Sequence, residues 1–180
     1  AYSCGRYIEL AVRATMADLF CAVVTGPIDK SELVAGGYNY YGHTEMLADL
    51  CKSLSVTMML AGPKIKVTLV TNHVSLKEVS SSLSIPKIQS CIENTARSLI
   101  QNFGIKNPRI AVLALNPHAG DNRLFGDEEV KIIGPAISAA AVTTAGAHIE
   151  GPFAADGFFA QWQTRHFKNY DAVVCMYHDQ

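Results

Sequence analysis

Six histidines stand in this 180-residue sequence, and three of them share one kind of position. His73 follows an apolar run ending at Thr71, His118 follows one ending at Leu115, and His178 follows one ending at Met176. If those runs are parallel strands of an open α/β sheet, all three rings lie just beyond carboxyl ends of strands, where such sheets bind ligands. Three neutral imidazoles are a sufficient ligand set for a borderline divalent ion, with positions left for water or substrate oxygens. Any one of them alone reads better as a loop histidine bonded to backbone. The shared placement of three favours a metal. His148 and His166 have no partner pattern and read as structural.

Around these rings the local sequence is unusual. In Leu115-Asn116-Pro117-His118-Ala119-Gly120 the proline sets the approach, the glycine lets backbone come close to a ligand, and Asn116 can orient a neighbour by hydrogen bonding. In Met176-Tyr177-His178-Asp179-Gln180, Asp179 reads either as a partner that orients His178 or moves its proton, or as a solvated loop carboxylate. Gly42-His43-Thr44-Glu45 opens a helix after the aromatic loop Tyr38-Asn39-Tyr40-Tyr41. His43 and Thr44 are either plain caps or donors to an oxygen-rich or anionic substrate. Thr25-Gly26-Pro27-Ile28-Asp29-Lys30 puts Lys30 on a strand-to-helix turn, where it is either a surface lysine or the counter-charge for a carboxylate or phosphate.

The elements that must position these residues follow from hydrophobic period. Ile8, Val12, Thr15/Met16 and Leu19 recur at helical spacing, and residues 21–25 form a short β-branched run closed by Gly26-Pro27, so helix, strand and turn are predicted in that order. A short helix is expected from 28 to the Gly36-Gly37 stop and another over 44–54, then strands over 56–61 and 66–71. Pro86 suits a first helical turn, and Ile88, Ile92, Ala96, Leu99/Ile100 and Phe103 mark one face of a long helix ended by Gly104. A buried strand over 109–115 leads through a polar loop to Asp127-Glu128-Glu129, whose charges suit a helix N-terminus, and Pro135 is expected to kink that helix. A short strand near 148–150, a helix after Asp156 and a buried strand over 171–176 complete the chain. Strands apolar along their whole length and alternating with helices predict a three-layer α/β/α fold with a largely parallel or mixed sheet covered on both faces.

Composition excludes several classes of function. Fifteen Lys and Arg against sixteen Asp and Glu give a net charge of −1 with no basic stripe, which argues against nucleic acid or an anionic membrane surface as partner. The longest apolar runs fall far short of a membrane span, and Ala1-Tyr2-Ser3-Cys4-Gly5-Arg6 carries no secretory signal, so a cytoplasmic protein is expected. Five cysteines at wide, irregular spacing read as reduced packing residues and not as a disulfide framework or zinc ribbon. No Gly-x-Gly-x-x-Gly follows a strand, and neither a P-loop nor a Gly-x-Ser-x-Gly elbow is present. Spacing by itself therefore reaches a metal-dependent α/β enzyme.

Taken in order, Thr25–Lys30, Gly42–Glu45, the His73 loop, Leu115–Gly120, Gly151-Pro152-Phe153-Ala154-Ala155-Asp156 and Met176–Gln180 resemble the 4-hydroxythreonine-4-phosphate dehydrogenases of vitamin B6 biosynthesis. The resemblance implies a fold similar to isocitrate and isopropylmalate dehydrogenases, which bind the dinucleotide without the usual glycine fingerprint. It implies NAD- or NADP-linked oxidation of 4-phosphohydroxy-L-threonine, then decarboxylation to 3-amino-2-oxopropyl phosphate. It also implies His73, His118 and His178 as ligands of zinc, magnesium or cobalt, His43 and Thr44 as substrate contacts, and a homodimer with a shared active site. Asp179, Asp156 and Lys30 become candidates for orienting ligands, relaying protons and balancing charge. Two segments depart from the family pattern: the loop from Gly120 to Gly126 is less rich in glycine, and Gly157 stands where the family usually has Thr.

Two other readings use the same histidines: a paralogous dehydrogenase of a related diol or four-carbon sugar-acid phosphate, and a zinc hydrolase working through a metal-bound hydroxide. A metal-binding or interaction protein without turnover is a third. A strand as apolar as 171–176 so near a chain end predicts that residues 1–180 are a fragment, and the family resemblance implies that the whole is a larger, two-lobed subunit with further N- and C-terminal segments.

Overall fold

The apolar residues of three runs, 66–71, 109–115 and 171–176, alternate between two destinations, and that alternation is the plan of the larger part of the molecule. The computed structural model describes residues 2–40, 42–161 and 169–180, in two units, Ala1–Val56 and Thr57–Gln180. His166 and Tyr41 lie outside the described residues.

In the first unit, helix α1 (Tyr2–Met16) packs Ile8 and Val12 on Leu33 of α2 (Lys30–Ala35) and Met46 of α3 (His43–Leu50). The expected helical face stops short of Leu19, which is exposed. Asp18 takes a left-handed conformation (φ 58°) and Leu19 N–H returns to the Ala14 carbonyl, a C-terminal cap that ends the helix there. Residues 21–25 form no strand, contrary to the expectation from their β-branched run, and Val24 is 95% exposed. A strand needs a neighbour for its backbone N–H and C=O groups, and no strand among the described residues of this unit supplies one. Asp29 starts α2, its carboxylate accepting the Ser31 and Glu32 N–H groups at 2.8 and 3.0 Å.

In the second unit five strands form one mixed sheet in the order β1-β2-β5-β3-β4. These are β1 (Met58–Ala61), β2 (Lys66–Leu69), β3 (Arg109–Leu113), β4 (His148–Phe153) and β5 (Ala172–Cys175). The hairpin β1–β2 is antiparallel, and the pairs β2–β5, β5–β3 and β3–β4 are parallel. Ile110, Val112, Ala172, Val174 and Val70 point to one face, against Ile88, Ile92, Ala96 and Leu99 of α5 (Ile85–Gln101) and Ala136, Ile137 and Ala140 of α6 (Gly134–Thr143). Ala111, Leu113, Val173, Cys175 and Leu69 point to the other, against Phe158 of α7 (Ala155–Gln161). The sheet is thus covered on both sides, the three-layer α/β/α arrangement expected from its apolar strands.

Three local features differ from expectation. A short helix α4 (Leu76–Ser82) occupies a stretch for which no element was predicted; it buries Val79 alone, too little apolar surface to leave a periodic signal. The acidic run does not open a regular helix: a π segment, Glu129–Ile133, precedes α6, so the break falls just before Pro135. All five cysteines are free, but Cys21 and Cys51 are exposed, which corrects the reading of all five as packing residues. Among the described residues no helix is long and apolar enough to cross a membrane.

Candidate functional site

Strand order brings the three histidines into sequence along one edge. β2, β5 and β3 are adjacent and parallel, so His73, His178 and His118 follow the carboxyl ends of three neighbouring strands. All three residues are exposed. This edge is held by bonds that extend the ladders past the strands. Val70 N–H reaches the Cys175 carbonyl at 2.9 Å, and the buried Thr71 hydroxyl reaches the Met176 carbonyl at 2.7 Å. Gln180 ties β5 to β3: its Oε1 accepts Met176 N–H at 2.7 Å and its Nε2 donates to the Ala114 carbonyl.

Beyond β3 the chain enters the turn Pro117–Gly120, in which His118 (φ 52°, ψ 29°) and Ala119 (φ 54°, ψ 40°) are left-handed. His118 lies beside the Phe125 ring, 6.4 Å between centroids. A cavity of about 460 Å³ opens here, lined by His118, Asn116, Asp156, Phe159, Tyr177 and Gln180 among others. Asp156 is in the first turn of α7. Two of the expected residues, His118 and Asp156, therefore share one cavity.

On the neighbouring turn, His178 Nδ1 lies 2.7 Å from Asp179 Oδ1. With the carboxylate as acceptor Nδ1 is the donor, and in the neutral form of the ring that tautomer leaves the lone pair on Nε2. Next to His73, the Asn72 Oδ1 is buried with no hydrogen-bond partner among the described residues. An orphaned acceptor is costly unless a cation or a donor completes it.

These donors fit a divalent ion by chemistry and by strand order, with one imidazole from each of three adjacent strand ends and an unsatisfied oxygen beside one of them. Among the described residues of this chain, no three of His, Cys, Asp and Glu stand close enough together to hold a metal ion.

The remaining candidates belong to the first unit. His43 is the first residue of α3; Gly42 is the N-cap and makes no side-chain bond, so neither His43 nor Thr44 caps the helix. A cavity of about 310 Å³ is lined by His43 together with Thr25, Gly26, Pro27 and Ile28, bringing two separate sequence motifs to one place. Lys30 opens α2 behind the Asp29 cap.

Neither Glu129 nor Gln180 is among the site residues expected from the sequence. Glu129 is a buried carboxylate, 5% exposed, that accepts the Leu115 and Asn116 N–H groups at 2.9 and 2.8 Å and Asn116 Nδ2 at 3.0 Å. Its neighbour Glu128 accepts from Ser80 Oγ at 2.6 Å and from Asn116 Nδ2 at 2.7 Å. The Ser80 hydroxyl, foremost, holds the Glu128 carboxyl below the usual carboxylate range. The acidic pair was legible only as helix-terminal charge; nothing in the spacing distinguished its buried member from its half-buried one.

An edge of parallel strands carrying three imidazoles and bordered by a polar cavity defines a ligand-binding α/β protein of the kind that places its site at the carboxyl ends of strands. Residues 1–180 match the family described as pyridoxal phosphate biosynthetic protein PdxA, and the chain belongs to that family. It is similar to the 4-hydroxythreonine-4-phosphate dehydrogenase of Desulfosudis oleivorans, 47% identical over 97% of this chain and 50% of the relative. It is also similar to the D-threonate 4-phosphate dehydrogenase of Cupriavidus necator, 44% identical over 97% of this chain and 51% of the relative. The crystal structure of the 4-hydroxythreonine-4-phosphate dehydrogenase of Klebsiella pneumoniae superposes with a TM-score of 0.87 at 38% identity, covering 97% of this chain and 51% of that one. The chain thus spans about half the length of the relatives it matches.

Proposed function

We propose that the protein carrying this chain is a metal-dependent, NAD- or NADP-linked dehydrogenase that oxidises 4-phosphohydroxy-L-threonine, the keto acid then losing carbon dioxide to give 3-amino-2-oxopropyl phosphate. The observation that carries this reading is the placement of His73, His178 and His118 after three adjacent parallel strands in a chain of the PdxA family. Those three imidazoles would hold zinc, magnesium or cobalt. A divalent ion bound there supplies positive charge that acidifies an alcohol and stabilises the negative charge developing as carbon dioxide leaves.

The protein's own residues do the positioning. Asp179, bonded to His178 Nδ1, would keep the proton of the neutral ring there and leave the Nε2 lone pair for a ligand. Asp156, lining the cavity with His118, would orient the substrate or relay a proton. His43 and Thr44 would contact the substrate, and Lys30 would balance its charge. The working unit in this reading is a cytoplasmic homodimer with a shared site.

The test is reduction of NAD and NADP by the full-length protein loaded with each divalent ion, on 4-phosphohydroxy-L-threonine, with a chelated control. Metal-dependent turnover is the expected result. The Cupriavidus necator relative favours a second reading, the same chemistry on a four-carbon sugar-acid phosphate. Turnover of D-threonate 4-phosphate alone would select it, and hydrolysis without reduced dinucleotide would overturn both.

A further inference from the structure

A carboxylate taken out of water must be compensated, and Glu129 is compensated in an uncommon way. Among the described residues no lysine, arginine or histidine forms an ion pair with it. Its partners are instead three N–H groups of two consecutive residues: Leu115 and Asn116 N–H on Oε1, and Asn116 Nδ2 on Oε2. Those residues lead directly into the turn that carries His118.

That turn is held against its own preference. His118, Ala119 and Asp121 all have positive φ without being glycine, a conformation that costs each of them energy and persists only where the surroundings impose it. Two glycines close the loop onto the acidic pair. A Cβ on Gly120 (φ +79°) would lie 2.8 Å from Glu129 Oε2, and one on Gly126 (φ +136°) 2.5 Å from Asn116 Nδ2 and 2.6 Å from Glu128 Oε2. The π segment that starts at Glu129, with the Gly134 N–H returning to the Glu129 carbonyl, presents its carboxylate from a widened helical turn.

We propose that Glu129 is a positioning residue that locks the turn after β3 and thereby fixes the His118 imidazole for ligand binding. This rests on the reading of His118 as a metal ligand. Glu129 touches neither substrate nor ion; it acts through Asn116 and the backbone. Were it only a structural cap, its loss would destabilise the fold without selectively moving His118.

The test uses the full-length protein, Co²⁺ as probe, and the Glu129→Gln variant, which keeps the size of the side chain but sets an amide NH₂ against that of Asn116. Cobalt affinity is followed by titration with the visible spectrum as signal, and the imidazole resonances of the metal-free protein by NMR. Affinity should fall about 10–100-fold, the usual loss when a residue that orients a ligand is changed, and the His118 resonances should shift while those of His73 and His178 stay. The core variant Ile110→Val, compared at equal unfolded fraction, should keep wild-type affinity. Glu129→Asp, which retains charge but retracts it by one methylene, replaces Glu129→Gln if the latter does not fold.

Wild-type affinity together with unmoved His118 resonances would overturn the proposal. If His118→Ala binds Co²⁺ as wild type does, the metal reading fails by itself, and the resonances then decide: moved signals support Glu129 as the lock on His118, and unmoved signals refute it.

Discussion

The hydroxyl of Thr71 donates to the carbonyl of Met176 at 2.7 Å, and the Thr71 N–H reaches the same oxygen at 3.2 Å. The β2–β5 ladder is thereby carried to within two residues of both His73 and His178. The two histidine-bearing turns therefore leave the sheet from residues bonded to each other.

Thr71→Val removes the hydroxyl bond but leaves Met176 its backbone donor, so no buried acceptor is orphaned. A loss of about 1 kcal/mol is expected, measured by urea unfolding, with Thr71→Ser restoring most of it. A valine variant as stable as wild type would show that the N–H alone secures the edge.

Asp179 is 84% exposed at its side chain, so its bond to His178 contributes little to stability. Its proposed value is to hold the tautomer of His178. Asp179→Asn should leave the melting temperature unchanged and weaken Co²⁺ binding about tenfold or more; unchanged affinity would remove this role.

Gly151 lies in β4 with φ +144°, and a Cβ there would sit 2.3 Å from the Val112 carbonyl oxygen on β3. The obstacle is backbone in the sheet interior and cannot swing aside. Gly151→Ala should cost about 3 kcal/mol or more, combining overpacking with an unfavourable φ, and calorimetry would show the loss.

Burial pushes the Cys91 thiol up to about 11 and the Cys175 thiol up to about 12. Both therefore stay protonated in the fold when the unfolded chain has begun to ionise, near pH 9. Their contribution to stability is complete below about pH 9 and is lost as pH rises toward 11 and 12. Urea midpoints should fall across that window, less steeply in Cys91→Ala. At pH 8 a thiol reagent should label Cys21 and Cys51 quickly and Cys91 and Cys175 only on unfolding.

Much of the larger unit was legible residue by residue. The runs at 66–71, 109–115 and 171–176 contain β2, β3 and β5, and the face marked by Ile88, Ile92, Ala96 and Leu99 is the buried face of α5. Hydrophobic period reports such elements because they bury one side or both. It misjudged residues 21–25, where β-branched residues met no neighbouring strand, and gave no signal for α4, where one buried valine leaves no period.

What the sequence determined by itself was residue type and local order: three histidines each placed after an apolar strand, motifs specific enough to indicate a family, and an acidic pair near a helix start. Tertiary structure decided which strands are neighbours, and so that the three histidines follow adjacent ones. It also decided which acidic side chain is buried beneath the His118 turn. Both are contacts between residues distant along the chain. Period and composition report how each segment meets its surroundings, but not which segment those surroundings will be.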